Sequence, residues 1–171
     1  MPFDFWQPGM VQTEARLNLA AMTGAVVFLA NRGTGQTIPS GGDSGSNALQ
    51  WDEITTDLLG GWSASTPTRW TCPLAGWWKL EGAVAFNASA GGNTRECVWY
   101  INGGGASMGR ARTFGGTMAS VPVTVEARTL HRRLDVGEYV ELVPAHNAGA
   151  NLDTATGTYR PFLSASYGGP L

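Results

Sequence analysis

One lysine, two cysteines and two histidines in 171 residues exclude a good deal before any motif is sought. Lys79 stands alone among the arginines, charged residues make up only 14%, and the net charge is −2. Such a chain has no electrostatic footprint for a nucleic-acid partner, whose phosphates are met by clustered positive charge. The arginine excess has two readings: planar, hydrogen-bonded contacts, or a coding bias towards arginine codons. Cys72 and Cys97 each sit in a strand-like run and read as buried free thiols, although a disulfide between them is not decidable from sequence. Together with His131 and His146 they form no zinc-ligand spacing. The longest apolar run, 25–30, is far too short for a bilayer-spanning helix, so no membrane insertion is expected. The first residues lack the basic flank and apolar stretch of a secretion signal, which predicts synthesis and assembly in a cytosol. No internal repeat is evident, which argues against a propeller or solenoid.

What the chain does have is glycine and tryptophan, 24 and seven respectively, within a composition that is 43% hydrophobic. That is enough apolar material for one domain with a sizeable core. Residues 1–24 differ from the rest. Phe3, Phe5 and Trp6 are followed by a Pro8-Gly9 turn, and Thr13 then opens a short helical pattern with Leu17, Ala20 and Ala21 on one face and Gly24 as its stop. So short a helix needs a neighbour to pack on. From residue 25 to 171 the signals are strands and turns. Apolar residues recur at 25–30, 49–54, 69–74 and most clearly at 77–86, where Trp78, Leu80, Val84 and Phe86 share one face. Further runs cover 97–101, which ends at the Asn102-Gly103 hairpin signal, then 121–134, 138–143 and 159–167. The stretch 39–46 reads as an exposed Gly/Ser loop. Short strands at regular intervals, with no second helix, predict an all-β sandwich or jelly roll.

Catalytic patterns are hard to find. His131 falls in a predicted strand and His146 in a predicted loop, and no nucleophile motif accompanies either. Asp52, Glu53, Asp57 and Glu81 are carboxylates, but nothing places two of them across one cleft as glycan hydrolysis requires. The Gly91-Gly92 and Gly103-Gly105 runs lack the Lys-Ser/Thr and helix of a phosphate cradle and read as hairpin tips. No enzyme, catalytic residue, metal or cofactor is therefore predicted. The polar stretches 88–93, 103–117 and 145–159 read as an outer binding rim with Asn93, Arg110, Arg112, Asn147 and Asn151 as its candidate contacts. Amide and aromatic side chains of this kind suit a sugar.

The order of segments over 25–168 resembles the C1q/TNF-type jelly roll. Residues 70–78 (WTCPLAGWW) resemble that family's corner, in which a strand reaches a proline, turns at a glycine and starts again at an aromatic. Residues 130–142 (LHRRLDVGEYVEL) resemble its Leu-x-x-Gly-acid-x-Val passage, with Glu138 as the acid. Residues 159–167 (YRPFLSASY) resemble its closing strand, with 25–30 beside it. The departures are a missing collagenous stalk, Arg160-Pro161 where the closing strand often has Ser-Gly, and no carboxylate cluster matching a calcium site. The resemblance implies a homotrimer built around aromatic side chains, for which Trp70, Trp77, Trp78, Trp99 and Phe162 are the candidates; plain core packing is the competing role for most of them.

A second resemblance lies at the N-terminus. Trp6-Gln7-Pro8-Gly9 followed by Thr13, Leu17 and Asn18 is similar to the leader of bacteriophage minor tail and fibre proteins. It implies a trimeric virion protein in which 1–24 forms an anchoring arm through Phe3, Phe5, Trp6 and Leu17, and 25–171 projects as the jelly roll. The expected partners are a second and third copy, other virion proteins and a host surface glycan. A head decoration protein and a stand-alone bacterial carbohydrate-binding module are the alternatives.

Overall fold

Trp78, Leu80, Val84 and Phe86 occupy alternate positions of the longest strand, and all four are buried at 1% exposure or less. Gly82 takes the remaining inward position. A side chain there would meet the Trp99 ring at 2.9 Å and Leu142 Cδ2 at 3.0 Å, both from the facing sheet. The pattern of the strand therefore sets how closely the two sheets approach.

The computed structural model describes residues 13–104, 108–114 and 119–170. In chain order the strands are β1 (Val26–Asn31), β2 (Thr37–Ile38), β3 (Glu53–Asp57), β4 (Trp70–Thr71), β5 (Gly76–Phe86), β6 (Thr94–Ile101), β7 (Met108–Phe114), β8 (Val123–Glu126), β9 (Leu130–Leu134), β10 (Tyr139–His146), β11 (Leu152–Asp153) and β12 (Phe162–Gly169). The first sheet has the order β3-β1-β12-β5-β8, with β9 also paired to β5, and the second has β4-β10-β6-β7. All of their pairings are antiparallel. A small third pair joins β2 to β11. The chain crosses repeatedly between the two sheets and the last strand returns beside the first, which is a jelly-roll sandwich.

Two expected strands fall differently. The run 121–134 divides into β8 and β9, which pair with opposite halves of β5. Between them the Arg128 carbonyl accepts the Trp99 indole N–H at 3.0 Å, and the Arg128 N–H donates to the Gly109 carbonyl at 2.9 Å. This break fastens the two sheets together along one edge. The run 49–54 yields β3 only from residue 53 onwards. Asp52 is instead spent on the turn after β1, accepting the Gly33 N–H at 2.6 Å and the Thr34 N–H at 3.2 Å.

Helix α1 (Glu14–Met22) begins after Thr13 and ends at Gly24, whose φ of +84° is the left-handed conformation that glycine adopts without strain. The Gly24 N–H then donates to the Tyr167 carbonyl at 2.6 Å, so β12 is the neighbour the helix requires.

The core is aromatic. Trp70 and Trp78 meet edge to face at 4.8 Å and Trp78 meets Tyr167 at 5.1 Å, pairs that each contribute about 1 kcal/mol beyond burial. Cys72 and Cys97 are buried free thiols, and burial pushes both up from the usual thiol range.

Candidate functional site

Strand direction sorts the loops into two ends. β1 starts and β12 stops beside one another, as Val26 pairs with Ser166, and β5 starts there too, as Trp77 pairs with Gly169. Helix α1 therefore lies at the end that also holds the turns 72–75, 102–104 and 135–138. The connections after β5 and β10, and the one before β12, lie at the opposite end, which we call the rim.

At the rim Asn93 and Asn147 come together. The Asn147 side-chain carbonyl accepts the backbone N–H of Asn93 at 2.9 Å and of Thr94 at 2.8 Å, and its amide donates to Asn93 Oδ1 at 2.8 Å. These groups hold the rim together and are occupied by doing so. Asn151 is exposed just before β11. Arg110 and Arg112 do not sit in a loop. The stretch 103–117, expected as part of the outer binding rim, contains β7, and both arginines turn to Glu96 on β6, each at 2.7 Å.

Arg110 also reaches Asp43 at 2.8 Å, and the Tyr100 hydroxyl donates to Asp43 at 2.7 Å. Asp43 thus fastens the Gly/Ser loop over the outward face of the second sheet, where Val98, Tyr100, Val143 and Ala48 form a small buried cluster. Burial works against ionisation of Asp43, yet the Tyr100 hydroxyl and Arg110 together outweigh it and hold the carboxyl below the usual range. Burial and the same carboxylate push the Tyr100 phenol up to about 12.

The candidate aromatics separate by exposure. Trp70, Trp78 and Trp99 are buried inside the sandwich, whereas Trp77 is 49% exposed on the outward face of the first sheet. Phe162 is half-buried at the rim end of the same sheet. Between them the outward face carries the Lys79–Glu81 ion pair at 2.8 Å, Ser164, Ser166 and Ala83. Of the candidate anchor residues, Phe3, Phe5 and Trp6 lie outside the described residues, and Leu17 lies in α1.

Two open depressions run along the edge where β7 faces β8 and β9. One of about 530 Å³ is lined by Trp77, Met108, His131, Arg132 and Arg133, and the other, of about 510 Å³, by Arg110, Arg112, Phe114 and Arg128. No group of three or more His, Cys, Asp or Glu that could hold a metal occurs among the described residues. His146 closes β10 rather than lying in a loop, and it is 1% exposed. The sequence placed His146 in a loop and offered no sign of the equally buried Arg95 opposite it, because neither residue type signals burial in a strand.

No family profile and no curated protein sequence matches the chain. Solved structures do. The globular domain of zebrafish complement 1qA superposes with a TM-score of 0.56 at 14% identity, covering 82% of this chain and 94% of that one. Eiger TNF from S. frugiperda gives 0.64 at 7% identity, covering 85% and 94%. Murine APRIL gives 0.57 at 13% identity, covering 82% and 98%. The fold is therefore the C1q/TNF jelly roll.

Proposed function

We propose that this chain is a non-enzymatic, homotrimeric structural protein of a bacteriophage virion, a minor tail or fibre protein that docks through residues 1–24 and presents its rim to the host surface. The observation that carries this reading is the separation of α1 and the rim to opposite ends of the sandwich. An arm at one end and a set of polar loops at the other is the arrangement a projecting module needs. Its working partners are two further copies, neighbouring virion proteins and a host surface glycan.

The outward face of the first sheet is the surface we assign to the trimer axis. It combines half-exposed Trp77 with the small side chains of Ala83, Ser164 and Ser166, which let another copy approach closely. Light scattering of the full chain is expected to give three times 18.0 kDa, and a monomer overturns the trimer. Because α1 rests on β12, the cleaner truncation removes only residues 1–12. The shortened chain is expected to remain trimeric and to be lost from particles. Labelling on the tail supports the fibre role; labelling on the head assigns the same architecture to decoration, and a truncated chain that still incorporates removes the arm from the docking role.

A further inference from the structure

His146 ties three segments of the rim through one residue. Its Nε2 lies 2.9 Å from the Ile38 carbonyl oxygen. A carbonyl only accepts, so Nε2 carries the hydrogen and Nδ1 is left as an acceptor. That acceptor takes the Ala148 N–H at 3.2 Å, and the His146 carbonyl takes the Gly41 N–H at 2.8 Å. The ring thereby holds β2 from one side and the loop after β10 from the other. Next along the chain is Asn147, whose side chain holds Asn93 and Thr94.

The surroundings suit only the neutral ring. From β6, opposite in register, comes Arg95, itself 1% exposed and bonded to the carbonyls of Thr94 and Gly91 at 2.8 and 3.0 Å. From β5 comes the Phe86 ring, 5.7 Å away and edge-on. From β2 comes a carbonyl, and the acid of β11, Asp153, accepts from the Thr37 hydroxyl instead. Burial, reinforced by Arg95 and opposed only by the Ile38 bond, holds the imidazole below the ordinary histidine range.

We infer that His146 is an acid-released latch on the rim, closed when the imidazole is neutral and opened by one proton. The proton comes from solvent and adds at Nδ1. It turns the acceptor of the Ala148 N–H into a donor facing a donor, and it sets a second positive charge beside Arg95 in a buried site where no carboxylate among the described residues is in contact. Release of Ala148 and exposure of the ring relieve both. The open form binds the proton with ordinary histidine affinity and the closed form far less readily. Opening therefore becomes more favourable by up to about tenfold for each pH unit below about 6.5. The latch does not depend on what the rim contacts, nor on the number of copies assembled.

Hydrogen exchange on the full chain between about pH 7.5 and pH 5, corrected for intrinsic exchange rates, reads the opening directly. Expected is a progressive loss of protection on acidification at Gly41, Asn93, Thr94 and Ala148, while β5 and β12 keep theirs. The non-titrating variants His146→Gln and His146→Phe are expected to lose that pH dependence. Unchanged rim protection across the range, or an equal acid response in a folded variant, overturns the latch. If both variants fail to fold, NMR titration of the wild-type ring decides. A midpoint below the ordinary histidine value, moving together with the Ala148 amide, supports the latch, and an ordinary midpoint or a static amide overturns it.

Discussion

Asn147 and Asn93 form a reciprocal clamp: the side-chain carbonyl of Asn147 accepts the Asn93 backbone N–H at 2.9 Å while its amide donates to the Asn93 side-chain oxygen at 2.8 Å. Two residues remote in sequence thus join the loop after β10 to the loop before β6. Because both side chains serve each other, their first role is to order the rim. Any contact with a host surface uses what they leave exposed, including Asn151.

Replacing Asn147 with Ala removes the acceptor for two backbone N–H groups, Asn93 and Thr94. The site is open to water, which takes up part of the loss, so about 1–2 kcal/mol of destabilisation is expected. Asn147→Asp keeps the acceptor, and a flip of the Asn93 amide turns its NH2 towards the new oxygen, so its cost is expected to be smaller. Urea denaturation of both variants checks the order. Equal costs would assign the stabilisation to the amide donor rather than to the carbonyl.

Gly82 and Trp99 set the spacing of the sandwich. A methyl group at 82 would lie 2.9 Å from the Trp99 ring and 3.0 Å from both Leu142 Cδ2 and the Phe162 carbonyl. The ring is fully buried and held by its hydrogen bond to the Arg128 carbonyl. Gly82→Ala is expected to cost about 1–3 kcal/mol by overpacking, although alanine normally suits a strand interior better than glycine. Thermal unfolding measures it, and a neutral result would mean that the two sheets separate more easily than their packing implies.

Adjacent tryptophans should behave in opposite ways. Trp78 is 1% exposed and contacts Trp70 and Tyr167, so Trp78→Ala is expected to cost about 3–5 kcal/mol. Trp77 is 49% exposed, and Trp77→Ala should leave the unfolding of a single chain nearly unchanged while weakening assembly. Denaturation at low concentration, combined with light scattering across a concentration series, separates the two effects. Assembly insensitive to residue 77 would move the trimer contact off this face.

Much of the fold was legible because its signals are local. The alternation in 77–86 declares β5 and its buried face, and the Asn102-Gly103 turn has left-handed φ values of +52° and +85°, which these residue types tolerate best. The position of α1 was legible from Thr13 and Gly24. What escaped depends on partners far along the chain. The division of 121–134 into two strands is set by Trp99, the placement of Arg110 and Arg112 by Glu96 and Asp43, and the burial of His146 by the Ile38 carbonyl, 108 residues away. Periodicity carries no information about such pairings. Composition likewise offers no sign of which tryptophan stays outside the core.

The Asp43 fastening makes two pH-dependent predictions of opposite sign. Asp43 has its carboxyl held below the ordinary value of 3.8, so its contribution is complete above that value and is lost as pH falls through the lower folded value. Tyr100 has its phenol raised from 10.0 to about 12, so its contribution is complete below pH 10 and is lost as pH rises through about 12. Between these limits the loop 39–46 should stay fastened, and proteolysis within it should be slow. Tyr100→Phe removes the donor but keeps the buried ring, with an expected cost of about 2 kcal/mol because the acceptor is charged. Burial raises the Tyr167 phenol as well, so the expected signature is faster cleavage in the loop together with a smaller, not absent, late phenol ionisation in the ultraviolet. A variant whose late ionisation is undiminished and whose loop is cleaved no faster would return the Asp43 fastening to Arg110 alone.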